Sequence, residues 1–174
     1  MRFWFKEGVV LVRKLLILGA GQYGMVAKEI AEDMGVFHEI SFLDDNSLKA
    51  IGRITDYEKY IEEYDEAIVA IGNTEKRMEL IEKLERAGYI ISVLRHPQAY
   101  ISPSAVIGKG CFIEPMAVIH TDVIIGTGCI ISAGTIVNHN AIVNDGCHIN
   151  CGTIVGARAI IEYGKKSDYG EIIK

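Results

Sequence analysis

The sequence predicts an α/β domain followed by an all-β solenoid of short parallel strands, and three observations predict it. Ile or Val stands at every sixth position from Ile101 to Ile161, through Ile107, Ile113, Ile119, Ile125, Ile131, Val137, Val143, Ile149 and Val155. A small or compact side chain follows four places after the first ten of these: Ala105, Cys111, Ala117, Val123, Cys129, Thr135, Ala141, Cys147, Thr153 and Ala159. The first half of the chain instead alternates short apolar runs with helix-periodic segments, the rhythm of βαβ units. A period of six fits neither the 3.6 of a helix nor the 2 of an ordinary strand. Hexapeptide repeats signal a parallel β-helix, in which three hexads close one triangular coil of 18 residues. Such coils stack at the strand spacing of about 4.8 Å.

Each element has its own signal. Lys14–Leu18 reads as a buried strand running into Gly19-Ala20-Gly21-Gln22-Tyr23-Gly24, and Met25–Met34 reads as a helix with Val26, Ala27, Ile30 and Ala31 on its apolar side. His38–Leu43 is a second strand ending in Asp44-Asp45-Asn46, and Asp56–Tyr64 a short helix. Ala67–Ile71 is a continuous apolar run suited to a parallel sheet covered on both faces. Gly72-Asn73-Thr74 caps a helix that runs to Ala87, with Gly88 just past its end. Tyr89–Leu94 is a fourth strand, and Arg95-His96-Pro97-Gln98 the boundary, so residues 1–98 form a Rossmann-like domain and 99–174 the β-helix.

Within the hexads, Gly or Asn recurs one place after the inward residue (Gly108, Gly126, Asn138, Asn144, Asn150, Gly156) and three places after it (Gly110, Gly128, Gly134, Asn140, Gly146, Gly152). Both residue types tolerate the positive φ that tight corners require, so positive φ is expected at both places. Past Ile161 the ladder decays: Lys165 and Ser167 stand where Ala and Ile are expected, which reads as a C-terminally shortened solenoid without a cap over its edge. At the other end, Met1–Leu11 reads as an extension. Lys6-Glu7-Gly8 matches a translated ribosome-binding site, with Val or Leu as the start just after; native protein that begins at Met1 on N-terminal sequencing would overturn that reading.

Composition narrows the class. With 49% hydrophobic residues and mean hydropathy +0.21, the 174 residues support a packed core. A net charge of −5 offers no basic footprint for nucleic acid. No stretch reaches the roughly 20 apolar residues of a bilayer span; Val9–Leu18 is interrupted by Arg13 and Lys14. No secretory signal pattern is present, and the expected compartment is the cytoplasm, where disulfides are rare. Cys111, Cys129 and Cys147 lie 18 apart and are expected to stack as small hydrophobes at one corner. Cys151 falls in a different hexad slot from Cys147, which argues against a metal set with His148.

Two groups of residues could carry chemistry. Gly19-x-Gly21-x-x-Gly24 follows a strand and opens a helix, the context in which backbone N–H groups cradle a pyrophosphate. Asp44 and Asp45 end the second strand, where a carboxylate can bind ribose hydroxyls. The plain alternatives are a tight turn and a solvated acidic loop. His139 sits two places past the inward Val137, outside the core column, and His is the usual general base near neutral pH. The plain alternative is a surface histidine. His148 lies nine residues on, and His120 is offset from His139 by 19 rather than 18, so those two do not stack as a metal pair would.

The segments Leu15-Leu16-Ile17-Leu18-Gly19-Ala20-Gly21-Gln22-Tyr23-Gly24, Phe42-Leu43-Asp44-Asp45, Ala70-Ile71-Gly72-Asn73, His96-Pro97 and Asn138-His139-Asn140 together resemble one family, from about Val12 to Ile161. It is the nucleotide-sugar N-acetyltransferase and sialic-acid O-acetyltransferase family of left-handed β-helix acyltransferases. The resemblance implies a left-handed coil, against the usual right-handed crossover. It implies a homotrimer with active sites between neighbouring β-helices, acetyl-CoA as co-substrate, and no tightly bound cofactor or metal. It implies a UDP-linked amino sugar held by the N-terminal domain through Gly19, Gly21, Gln22, Tyr23, Gly24, Asp44, Asp45, Gly72 and Asn73. It puts His139 at the general base with Asn140 beside it, and His148 at a second histidine facing acetyl-CoA, whose pantetheine path passes Gly152 and Gly156.

The chain departs from the family in three ways. Asn140 stands where an acidic residue is common, Tyr23 where a His is common, and the solenoid is a coil or more shorter. O-acetylation of sialic acid or a related sugar, a non-catalytic truncated trimeric binding protein, and a carbonic-anhydrase-type metal hydratase using His120, His139 and His148 are the alternatives. A nicotinamide dehydrogenase fits poorly, because the N-terminal domain is only about half of a dinucleotide fold.

Overall fold

Four short, largely apolar segments build the first layer. The computed structural model describes residues 13–174, and the reading of Met1–Leu11 as an extension lies outside them. Strands β1 (Lys14–Leu18), β2 (Glu39–Leu43), β3 (Glu66–Val69) and β4 (Ile90–Ile91) form one parallel sheet in the order β2-β1-β3-β4. Successive side chains of β1 point to opposite faces. Leu15 and Ile17 pack with Ala27 and Ile30 of α1 (Gln22–Met34), while Leu16 and Leu18 pack with Leu80 and Leu84 of α2 (Thr74–Ala87). The Asn73 side chain caps α2 by accepting from Lys76 N–H at 2.8 Å, and Gly88 ends it at φ +103°. The expected helix over 56–64 is a 3-10 helix at Ile54–Tyr60.

Parallel pairing of each residue with the one 18 places on then builds a three-sided, left-handed β-helix. The first face stacks β5 (Leu94–Arg95), Phe112–Ile113, Ile130–Ile131 and His148–Ile149. The second stacks Tyr100–Ile101, Val118–Ile119, Ile136–Val137, Ile154–Val155 and Ile172–Ile173, and the third Val106–Ile107, Ile124–Ile125, Ile142–Val143 and Ile160–Ile161. In the rungs after Leu94–Arg95 the second residue points inward, and Ile113, Ile119, Ile131, Val137, Val143, Ile149 and Val155 are all fully buried. Cys111, Cys129 and Cys147 form the expected buried column.

Two expectations need correction. Leu94 belongs to the solenoid rather than to a strand Tyr89–Leu94: it pairs with Phe112, so the β-helix begins before residue 99. The six-residue ladder hides this rung because its inward slot holds the exposed Arg95, while Leu94 in the outward slot is buried. Positive φ occurs three places after the inward residue, as at Gly128 and Gly146, but not one place after it. At the latter place glycine answers to close stacking: a Cβ on Gly108 would lie 2.6 Å from the backbone of Gly126. Past Ile161, where the ladder decays, the coil continues. Ser167 fills the inward slot at 2% exposure, its Oγ accepts from Asn150 N–H at 2.8 Å, and Ile172–Ile173 pairs onto Ile154–Val155.

The two domains share a core. Leu94, Phe112 and Ile130, the outward residues of the first face, are buried in one cluster with Leu15, Ile17, Ala27 and Ile30. Helix α2 lies along the corner of Gly128 and Gly146, where a Cβ would come within 2.8 Å of Met78 Sδ and 2.7 Å of Thr74 Cγ2. Phe112→Ala is therefore expected to cost about 3–5 kcal/mol in urea unfolding, against about 0.5 kcal/mol or less for the exposed Ile90→Ala. A loss at Phe112 as small as that at Ile90 would show that the domains do not share this core.

Candidate functional site

In a parallel sheet, ligand crevices open where neighbouring strands send their connections to opposite sides. β1 and β3 are such neighbours here, flanked by the loops Gly19–Gly24 and Gly72–Asn73. The three motif glycines divide the work. Gly19 turns at φ +107° with Ala70 O only 2.8 Å from where a Cβ would sit, and a Cβ on Gly24 would lie 2.2 Å from Gly19 O. Gly21 has nothing within 4 Å and starts α1 without a side-chain cap, so its end of the helix is open to a ligand's phosphate. Gly72 is likewise open, and Gln22 is exposed at the helix start.

The acidic pair is more committed than the sequence suggests. Asp44 Oδ2 accepts from Ala20 N–H at 2.8 Å, and Oδ1 from Asn46 and Ser47 N–H at 2.8 and 2.9 Å. These bonds, Ala20 first, hold its carboxyl below the usual range, and they tie it to the shape of the Gly-rich loop. Asp45 Oδ1 accepts from Ile54 N–H at 3.1 Å. The Asn73 oxygen is occupied by its cap on α2.

Tyr23, in the first turn of α1, reaches from the crevice to the solenoid. Its hydroxyl donates to Glu114 Oε1 at 3.1 Å, and its ring meets Phe112 edge-on at 5.1 Å and His148 at 6.4 Å. Glu114 Oε2 accepts from Ala133 N–H at 3.0 Å. Burial raises the pKa of both: Tyr23 well above its ordinary value, with the Glu114 charge adding to burial, and Glu114 against the pull of its hydrogen bonds. His148 Nε2 lies 3.2 Å from Ser132 Oγ, and burial first, then the charges of Lys166 and Arg77, push its pKa down to about 4. It is a neutral imidazole at neutral pH. Sequence reasoning missed Glu114, Ser132 and Arg77; Arg77 was legible as a charge in line with Leu80, Ile81 and Leu84 of α2.

His139 stands elsewhere, on the corner between the second and third faces. Its Nδ1 lies 3.0 Å from Asn140 Oδ1, the arrangement in which an Nδ1–H donates to the amide oxygen. Asn140 is also a positive-φ corner residue, at +58°. In a triangular coil this corner is opposite the first face, where the crevice and His148 lie. Gly156 shares the His139 corner, one coil on; Gly152 occupies the corner between the first and second faces. One chain thus brings together the glycine loops, Tyr23 and His148, and separately His139, Asn140 and Gly156. The faces that flank His139 present outward apolar residues to solvent, including Tyr100, Ile154 and Ile172 on one and Val106, Ile124 and Ile160 on the other. No group of three or more His, Cys, Asp or Glu among the described residues is placed to hold a metal ion.

Known proteins share both halves. The profile of the PglD N-terminal domain matches residues 14–84, and that of the bacterial transferase hexapeptide (six repeats) matches residues 104–139. The acetyltransferase domain of PglB from Neisseria gonorrhoeae, solved with acetyl coenzyme A, is 30% identical at TM-score 0.79, covering 92% of this chain and 84% of that one. A histidine-to-asparagine variant of perosamine N-acetyltransferase from Caulobacter crescentus, solved with CoA and GDP-perosamine, has the same fold at 20% identity and TM-score 0.79, over 92% and 91%. WeeI from Acinetobacter baumannii shares the fold at 16% identity and TM-score 0.62, over 92% and 94%.

The state of His148 can be checked directly. The unfolded imidazole titrates near pH 6.5 and the folded one near 4. Between these values the unfolded chain binds more protons. The stability that a neutral His148 contributes is therefore complete above about pH 6.5 and lost progressively as pH falls toward 4. Denaturant midpoints of His148→Gln should be flatter than wild type across that window, and an NMR titration of His148 centred near 6.5 would overturn the assignment.

Proposed function

From the premise that this chain belongs to the hexapeptide-repeat sugar acyltransferase family, we propose that it moves an acetyl group from acetyl-CoA to the amino group of a nucleotide-linked amino sugar, with His139 as general base. The observation that carries this reading is the placement of His139 on the corner opposite the crevice, between two faces with exposed apolar ladders. Patches of that kind mark interfaces. In a homotrimer, each copy covers its neighbour's ladder and brings its own His139 to that neighbour's crevice and His148.

The chemistry follows from the placement of His139 beside Asn140. The unprotonated sugar amine attacks the thioester carbonyl; a C–N bond forms, the C–S bond breaks, and CoA leaves as thiolate. His139 Nε2 takes the proton that the attacking nitrogen sheds and returns it to the CoA sulfur, so no covalent enzyme intermediate is needed. Asn140 Oδ1, 3.0 Å from Nδ1, accepts from it in the tautomer that leaves Nε2 free for this proton. Being uncharged, it supports the imidazolium less than a carboxylate would. Neutral His148 and Ser132 line the thioester end, and backbone at Gly152 and Gly156 lines the pantetheine path.

Gly19, Gly21, Gln22, Tyr23, Gly24 and the Gly72–Asn73 loop hold the nucleotide. Asp44 shapes the Gly19–Gly24 loop through Ala20, and Asp44 and Asp45 offer their remaining lone pairs to the nucleotide. UDP is the expected carrier, and GDP, carried by the sugar in the Caulobacter complex, presents the same pyrophosphate to Gly21. The setting is the cytoplasm, consistent with four free cysteines.

His139→Ala should lower kcat by about 10²–10⁴ while sedimentation still shows a trimer. Turnover of acetyl-CoA that survives this change would remove His139 from the base role. Ile124→Asp and Ile136→Asp, on the two apolar faces, should dissociate the trimer and abolish transfer together. A monomer with wild-type turnover would show that the site is complete in one chain.

A further inference from the structure

Helix α2 places a charge where its pattern calls for an aliphatic residue. Arg77 lines up with Leu80, Ile81 and Leu84 and is 0% exposed. Among the described residues no carboxylate accepts from it. Its guanidinium instead donates to main-chain carbonyls of both domains. Nη1 bonds Ile71 O at 2.8 Å and Gly72 O at 3.2 Å; Nε bonds Gly128 O at 2.8 Å; Nη2 bonds Gly146 O at 2.8 Å and Thr74 Oγ1 at 3.4 Å. Thr74 Oγ1 donates to Gly146 O at 3.2 Å beside it.

Burying a cation without a counter-ion is costly, and Leu or Met would fill similar volume without that cost. What an arginine adds is a planar fork of donors that holds several acceptors at fixed angles. The acceptors here are not arbitrary. Ile71 and Gly72 form the wall of the nucleotide crevice that follows β3. Gly128 and Gly146 are successive corners of the solenoid, and Gly146 leads into the rung that carries His148.

We infer that Arg77 is a positioning residue for acetyl transfer: it clamps the crevice wall at Ile71–Gly72 to the solenoid corner before His148, and so sets the acceptor sugar at reacting distance from the thioester. Reaction requires the attacking and attacked atoms to come within about 3–3.5 Å, and a displacement of about 1 Å can cost roughly 10²-fold. The kinetic expectation rests on the transfer reaction proposed above; the clamp itself does not.

The test uses the full chain with Arg77→Lys, which keeps the charge and loses the fork, and Thr74→Val, which removes only the flanking hydroxyl. For Arg77→Lys, calorimetric Kd values for acetyl-CoA and for a UDP- or GDP-linked amino sugar, each measured alone, should stay within about threefold of wild type while kcat falls by about tenfold or more. Thr74→Val should move kcat in the same sense by less. Amide exchange in Arg77→Lys should quicken together at Ile71–Asn73 and Gly146–His148 and stay unchanged at Val106–Ile107. A lower Tm with kcat intact well below it, a fall in rate matched by a rise in the sugar's Kd, or exchange that quickens evenly along the chain would each overturn the assignment. If Arg77→Lys does not fold, Thr74→Val decides by the same readouts. If wild type acetylates no nucleotide amino sugar, the proposed function falls and the exchange pattern still decides the clamp.

Discussion

The pairing of every solenoid residue with the one 18 places on is the constraint from which the rest of the molecule follows. It converts a position in the sequence into a column in space. One column is the core, one is the Cys111–Cys129–Cys147 corner, and one is the outward edge of the first face. That last column, Leu94, Phe112, Ile130 and then His148, decides the geometry of the site. The first three members are apolar and disappear beneath the α/β domain. The fourth is the histidine at the margin of that contact, only partly covered, which is why burial moves its pKa. The same column that glues the domains together therefore delivers a neutral imidazole to the mouth of the crevice.

Polar groups buried at this junction are costly unless satisfied, and here each has its partners. Tyr23 and Glu114 bond across the domains, and Arg77 gathers carbonyls from both. Apolar side chains would hold the halves together as firmly. Hydrogen bonds fix their relative angle as well, and angle matters to a transfer between two bound substrates.

The candidate site was legible in part, one residue at a time. The Gly19–Gly24 motif predicted the turn from a strand into a helix, and the offset of His139 from the inward Val137 predicted that it leaves the core. What stayed hidden depended on partners distant in sequence. Asp44 looks free until Ala20, 24 residues away, donates to it. Leu94 looks like a sheet strand until it pairs with Phe112. Arg77 looks like a solvated helix charge until Gly128 and Gly146 accept from it.

The sequence by itself determined the periodic features: the hexad core, the glycine corners, the βαβ rhythm and the candidate base. Each arises from local sterics and from a repeat that short strands can satisfy only by stacking. Only the tertiary structure decided which side of the prism meets the α/β domain. His139 and His148 are nine residues apart in the chain, yet one stands at a corner and the other on the face opposite it. That separation is half of the 18-residue coil, whereas the packing of the His148 side against the α/β domain depends on Leu94, Phe112 and Ile130 meeting residues distant in sequence.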